Sequence, residues 1–101
     1  MISLHQDPDF DLGYGVFVIE FYARWCGTCR NVTKYLCELE KEMGFRGVLV
    51  DIESSPLVSK SFCIQGVPII VITNDGVEIG RIGGSLTKAE IRQWIFDNNA
   101  I

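Results

Sequence analysis

Two cysteines stand two residues apart in "EFYARWCGTCRNV", residues 20–32, directly after an apolar run and directly before a stretch with helical spacing. No other feature constrains the fold as tightly, because a C-x-x-C so placed is read at a junction between a strand and a helix. The run before it, "VFVIEFY" at residues 16–22, is rich in β-branched and aromatic side chains and reads as a buried strand interrupted by one acid, Glu20. After it, Val32, Leu36, Leu39 and Met43 recur at helical intervals with Tyr35 beside them, and Glu38, Lys41 and Glu42 fall elsewhere on the surface. Gly44 supplies the stop.

The remaining segments extend an α/β order. "GVLVDI", residues 47–52, is a second buried strand, and "SSPLVSKSF", residues 54–62, offers Pro56 as the start of a short helix. "VPIIVITNDGVEIGRIGG", residues 67–84, reads as two strands joined through Asn74, Asp75 and Gly76, which is hairpin chemistry. Thr87 and Glu90 have capping-box spacing, Leu86 and Ile91 the spacing of a hydrophobic staple, and Trp94 and Ile95 continue an apolar helix face. The pattern predicts a mixed sheet covered by helices, with the first two of these strands parallel and the last two antiparallel. Residues 2–6, "ISLHQ", are read as an added edge strand and Pro8 as the start of a helical turn. No repeat or linker interrupts the sequence, so 101 residues are expected to form one domain with a core of its own.

Charge narrows the choice of partner. The net charge is -4, with nine basic and thirteen acidic residues spread along the chain, which leaves no basic stripe for nucleic acid or anionic lipid. No apolar run approaches the roughly 18 to 20 residues of a membrane span. The first fifteen residues carry Asp7, Asp9 and Asp11 and lack the cationic start and apolar core of a secretory signal, so a cytoplasmic location is expected. There, a disulfide framework through Cys26, Cys29, Cys37 and Cys63 is disfavoured.

A thiolate, and not a thiol, attacks a disulfide, so a reactive cysteine needs its pKa lowered. A helix N-terminus does this with unpaired N–H groups and partial positive charge. Cys26 precedes the helix by the distance that aims its sulfur there, which makes it the candidate nucleophile. Cys29, one turn on, is placed to resolve a mixed disulfide. Gly27 gives the turn freedom and keeps the approach open, Thr28 completes the segment between the cysteines, Trp25 offers a flat apolar wall to a substrate, and Arg30 adds a positive charge. Glu20, a carboxyl inside an apolar strand, is desolvated and therefore a plausible base near neutral pH. The rival reading assembles a metal site from the four cysteines; it fits poorly, because zinc sites bring two close pairs and Cys37 and Cys63 are isolated, with His5 far upstream.

"WCGTC" at residues 25–29 with "GVP" at residues 66–68 resembles the thioredoxin family. The resemblance runs from about Val16 to the C-terminus and is followed without gaps from Pro56 through Pro68 and Gly76 to Gly84. It implies a thioredoxin-like fold, an α/β architecture with a central mixed sheet flanked by helices, and a thiol-disulfide oxidoreductase that reduces protein disulfides. Pro68 matches the family's cis-proline facing the cysteine pair, and the backbone of Val67 before it is implied to pair with an extended substrate. Gly84 matches a glycine that leaves room for substrate, and Glu20 the buried acid that takes a proton from the resolving cysteine. No bound cofactor is implied beyond the redox-active Cys26–Cys29 disulfide. The partners implied are disulfide-containing proteins and a thioredoxin-reductase-like electron donor, with the chain acting as a monomer. A zinc or iron–sulfur module, or a non-catalytic interaction module on the same fold, is the alternative.

Departures from the family pattern carry expectations of their own. Thr28 stands where a proline is usual, which predicts a less reducing pair and leaves an oxidant or isomerase open. Leu49 stands where the family has a lysine beside the buried acid, Lys34 where it has a mid-helix proline, and Ile69 where a threonine commonly follows the cis-proline. Cys63 is expected to pack as a small hydrophobe, and Cys37 to lie off the apolar stripe of its helix.

Overall fold

The computed structural model describes residues 1–6, 10–98 and 100. Five strands form one sheet in the order β1-β3-β2-β4-β5: β1 is Ile2–Ser3, β2 Val16–Tyr22, β3 Gly47–Asp51, β4 Ile69–Asn74 and β5 Val77–Gly83. Helix α1 spans Gly27–Met43, α2 Pro56–Ser61 and α3 Lys88–Asp97. The sheet is mixed: β3 pairs parallel with β1 and β2, whereas β4 runs antiparallel to β2 and β5.

β2 lies at the centre and is buried on both faces, which explains its nearly unbroken apolar sequence. Its side chains alternate between two cores. Val18 joins Ile70 and Ile72 of β4 against Val32, Leu36 and Leu39 of α1 and Ile91 and Ile95 of α3. Phe17, Ile19 and Phe21 point the other way, onto Val48 and Val50 of β3 and Val71 of β4, where Val58 of α2 and Phe62 close the layer. Glu20 shares the period-2 face of Val18 and therefore points toward α1.

Local signals set the ends of these elements. The Asp75–Gly76 turn has φ of 50° and 81°, the left-handed pair that matches the twist of a two-residue hairpin. Gly44 caps α1 in the left-handed region, with its N–H donating to the Glu40 carbonyl. At the start of α3 both hydrogen bonds of the capping box between Thr87 and Glu90 are formed, and Leu86 and Ile91 pack in the same core. Pro56 occupies the first turn of α2, and α1 passes Lys34 as one uninterrupted helix.

Two expectations are corrected. The edge strand is shorter than residues 2–6: after the N–H of Leu4 donates to the Leu49 carbonyl, that of Gln6 folds back to Ser3 and the chain turns. Cys63 is exposed rather than packed. It sits at φ 55° just past α2, with its N–H closing a turn on the Lys60 carbonyl, and this reversal sends Ile64 inward in its place. Cys37 is half-buried. The helical turn expected at Pro8 lies outside the described residues.

Candidate active site

The C-terminal end of β2 delivers the chain to Cys26. Between them the N–H of Cys26 bonds to the Ala23 carbonyl, while Arg24 forms an ion pair at 3.2 Å with Asp51 at the end of β3. Asp51 is buried and anchors the next loop by accepting the N–H of Glu53 and the hydroxyl of Ser54. Burial pushes its carboxyl up, but those hydrogen bonds and Arg24 outweigh burial and hold it below the usual range. The loop carrying Trp25 is thereby tied to the end of β3 through Arg24 and closed on itself by the Cys26 N–H.

Cys26 is the N-cap of α1, and its sulfur accepts the N–H of Cys29 at 3.1 Å. A side-chain acceptor at this position satisfies one of the helix's unpaired donors, and an ionised sulfur there lies in the positive end of the helix dipole. Cys26 and Cys29 are joined as a disulfide with Cα atoms 5.3 Å apart. The two residues differ in access: Cys26 is 8% exposed and Cys29 only 1%, which puts Cys26 at the rim. Trp25 is exposed beside it, as are Gly27 and Thr28. Gly27 has no atom within 4 Å of where a Cβ would sit and needs no left-handed backbone, so the approach is open but the turn does not draw on glycine's freedom.

Across the disulfide, Val67 packs in the same small cluster as Cys26 and Cys29, and the Val67–Pro68 bond is cis. The Pro68 carbonyl accepts the N–H of Gly84, which has φ 98° and open space around its missing side chain. Gly83, which sequence reasoning passed over, is the tighter position: a Cβ there would lie 2.6 Å from Ile69 Cδ1 and 3.1 Å from the Pro68 carbonyl oxygen.

Behind Cys29 lies Glu20, fully buried. Its Oε1 accepts the Thr33 hydroxyl at 2.6 Å, and its Oε2 has no partner among the described residues. Burial pushes the carboxyl up to about 7, against the lowering effect of the Thr33 bond. A cavity of about 400 Å³ opens beside it, lined by Tyr22, Arg24, Cys29, Arg30, Thr33 and Leu49. Thr33 was not singled out in the sequence; the available signal was its spacing, one turn after Cys29 and hence on the same face of α1. Arg30 donates to the Arg24 carbonyl at the cavity mouth.

The described residues hold no cluster of three or more His, Cys, Asp or Glu side chains suited to a metal ion. Cys37 lies eight residues beyond Cys29 on α1, about 12 Å along the axis, and Cys63 is exposed past α2.

The Thioredoxin family matches residues 11–97. A thioredoxin from Chlamydia trachomatis is 35% identical over 98 residues, which cover 94% of this chain and 96% of that protein. Thioredoxin C-3 from Corynebacterium nephridii is 29% identical over 79 residues; that match takes in 77% of this chain and about half, 54%, of the relative. Among solved structures, the thioredoxin of Fasciola hepatica superimposes with a TM-score of 0.83 at 25% identity, over 97% of this chain and 99% of that one.

Proposed function

The chain belongs to the thioredoxin family and is a thiol-disulfide oxidoreductase, and from that premise we propose that it reduces protein disulfides with Cys26 as the attacking thiol and Cys29 as the resolving one. The observation that carries this assignment is the hydrogen bond from the Cys29 N–H to the Cys26 sulfur at the start of α1. It gives the rim sulfur, and not the one behind it, the stabilised thiolate.

In the first step the Cys26 thiolate attacks one sulfur of the substrate disulfide. A mixed disulfide forms, and the other substrate sulfur leaves as a thiolate that takes a proton from solvent. In the second step the Cys29 thiol gives its proton to Glu20, and the resulting thiolate attacks the Cys26 sulfur. The bond to substrate breaks, the second substrate sulfur leaves with the electron pair, and the chain is left as the Cys26–Cys29 disulfide. Two electrons have passed to the substrate. An acid pushed up to about 7 suits Glu20 to this exchange near neutral pH.

Membership of the family implies disulfide-containing protein substrates and a reductase that returns the two electrons. We place the substrate against Trp25, Gly27 and Thr28 on one side and Val67, Pro68 and Gly84 on the other, an extended segment lying along the Val67 backbone. The 101 residues act as one domain and as a monomer, since a protein substrate needs the whole rim around Cys26 free. A cytoplasmic location fits a disulfide reductase of this family, since that is a compartment in which thiols are kept reduced.

The test is equilibration in a series of thiol–disulfide buffers, alkylation of free thiols, and mass measurement of the Cys26–Cys29 peptide. A reversible two-electron transition at strongly reducing potential supports the reductase. Thr28 is expected to move the midpoint somewhat in the less reducing direction; a midpoint as high as that of a disulfide isomerase turns the reading toward oxidation or isomerisation. Cys26→Ser abolishes reduction and Cys29→Ser accumulates covalent substrate adducts; adducts formed without Cys26 would overturn the assignment.

A further inference from the structure

The Thr33 hydroxyl stands 2.6 Å from Glu20 Oε1 and 2.8 Å from the Cys29 carbonyl oxygen. Both of those oxygens are acceptors, and a hydroxyl has one proton to give. The two contacts are satisfied together only when Glu20 is protonated: its own O–H then donates to Thr33 Oγ1, and Thr33 donates to the Cys29 carbonyl. When Glu20 is ionised, the hydroxyl proton must turn to the carboxylate and the Cys29 contact is released.

We propose that Thr33 is a positioning residue that sets the ionisation of Glu20, its single hydroxyl proton switching between the Glu20 carboxylate and the Cys29 carbonyl as Glu20 loses and gains a proton. Among the described residues, Thr33 is the side chain that hydrogen-bonds Glu20. From β3 Glu20 faces Leu49 and from β4 it faces Ile70, both aliphatic. On β2 the next residue on its face is Tyr22, whose phenol is held protonated by burial and by Asp51. Of the charges on the cavity, Arg24 is paired with Asp51 and Arg30 donates to the Arg24 carbonyl at the mouth. From α1 the facing groups are Cys29 and Thr33, and Thr33 both bonds the buried carboxyl and lines the cavity. In the resolution step the proton that leaves the Cys29 thiol passes to Glu20, and the Thr33 hydroxyl then turns back to the Cys29 carbonyl, on the very turn of α1 that carries the attacking sulfur.

The inference rests on the reading of Glu20 as the base, and its test is separable from that reading. The oxidised full chain is used, because the disulfide removes the cysteine titrations. The Glu20 carboxyl is followed by isotope-edited infrared or carbon-13 spectroscopy, assigned by its loss in Glu20→Gln. Thr33→Val, which keeps the branched shape and removes the hydroxyl, should raise the midpoint by up to about one pH unit, since the charge-assisted bond to the ionised carboxylate is stronger than the bond to the neutral acid. Thr33→Ser should return it to the wild-type value. An unchanged midpoint in Thr33→Val, or a serine variant that stays with the valine one, overturns the proposal. Resolution of a mixed disulfide is then measured against pH. If the carboxyl midpoint moves and the rate profile stays, the proton setting by Thr33 stands and Glu20 is not the base.

Discussion

Glu20 and Leu49 are register partners across the parallel pair of β2 and β3, so the acid of the central strand looks onto an aliphatic side chain where a countercharge would fit. Ile70 faces it from β4. A carboxyl in this slot has Thr33 as its hydrogen-bond donor and one oxygen without a partner among the described residues. The ionised form is the costly one, and that has measurable consequences for stability as well as for chemistry.

Stability should fall as pH rises through the weakly acidic range. With a folded value of about 7, against the ordinary carboxylate value of 4.5 when unfolded, Glu20 binds its proton more tightly in the native state. Below the unfolded value both states are protonated and nothing is lost. Between the two values stability declines, and above about 7 the full loss of roughly 3 kcal/mol is present. Glu20→Gln removes this dependence. Urea denaturation of the oxidised protein at pH 5 and pH 8 should show the variant gaining on wild type by about 2 to 3 kcal/mol at the higher pH, part of the loss being present already at pH 5; parallel behaviour would mean that Glu20 does not titrate in this range.

Leu49→Lys should reverse the shift. Register partners project from the same face of the sheet, so the new ammonium reaches toward Glu20, while half-buried Leu49 borders the cavity and leaves the amine access to water. An opposite charge at such range lowers a carboxyl by about 1 to 3 units. The carboxyl titration of the oxidised variant should move down accordingly, and the decline in stability described for wild type should shrink with it. A midpoint still near 7 would place the lysine away from the acid.

What could be read from the sequence was whatever is encoded within a few residues. The capping box at Thr87 and Glu90, the Asp75–Gly76 turn and the N-cap position of Cys26 all depend on neighbours three residues apart or fewer, and all three stand in the structure. The burial of Glu20 was suggested by the apolar residues around it and needed the helices to decide it. Thr33 was invisible because its role depends on how α1 packs across β2. The Arg24–Asp51 pair joins residues from two separate strand ends. Cys63 misled because its composition is that of a core residue, whereas a left-handed backbone turns it outward.

Gly83→Ala should be more harmful than its exposed position suggests. The added methyl would meet Ile69 Cδ1, which can rotate away, and the Pro68 carbonyl oxygen, which is backbone and cannot move without carrying Val67 with it. Overpacking of this kind costs about 1 to 3 kcal/mol. A lowered melting temperature together with a raised KM for a protein disulfide, at nearly unchanged reactivity toward a small disulfide, is the expected signature. Loss of stability alone would detach Gly83 from the substrate face.

Asp51→Asn should loosen the loop that carries Trp25 and do so in a pH-dependent way. The carboxyl is held below its usual range, so the stability it contributes is present above the unfolded value and is lost as pH falls through the lower folded one. The amide keeps the shape but surrenders the charge that faces Arg24 and the charge that strengthens the bonds from Glu53 and Ser54. Arg24 is exposed and its attraction is screened, which leaves the hydrogen bonds to a buried carboxylate as the larger share, about 1 to 3 kcal/mol at pH 7. Chemical denaturation at pH 7 should show that loss, and the two proteins should converge as the pH falls through the lowered folded value. Because Arg24 precedes Cys26 by two residues, the rate of attack on a protein disulfide should fall with it, and Arg24→Gln, which leaves Asp51 its other donors, should lose less stability than Asp51→Asn. If the arginine variant is instead the weaker of the two, the exposed ion pair and not the buried hydrogen bonds holds the loop.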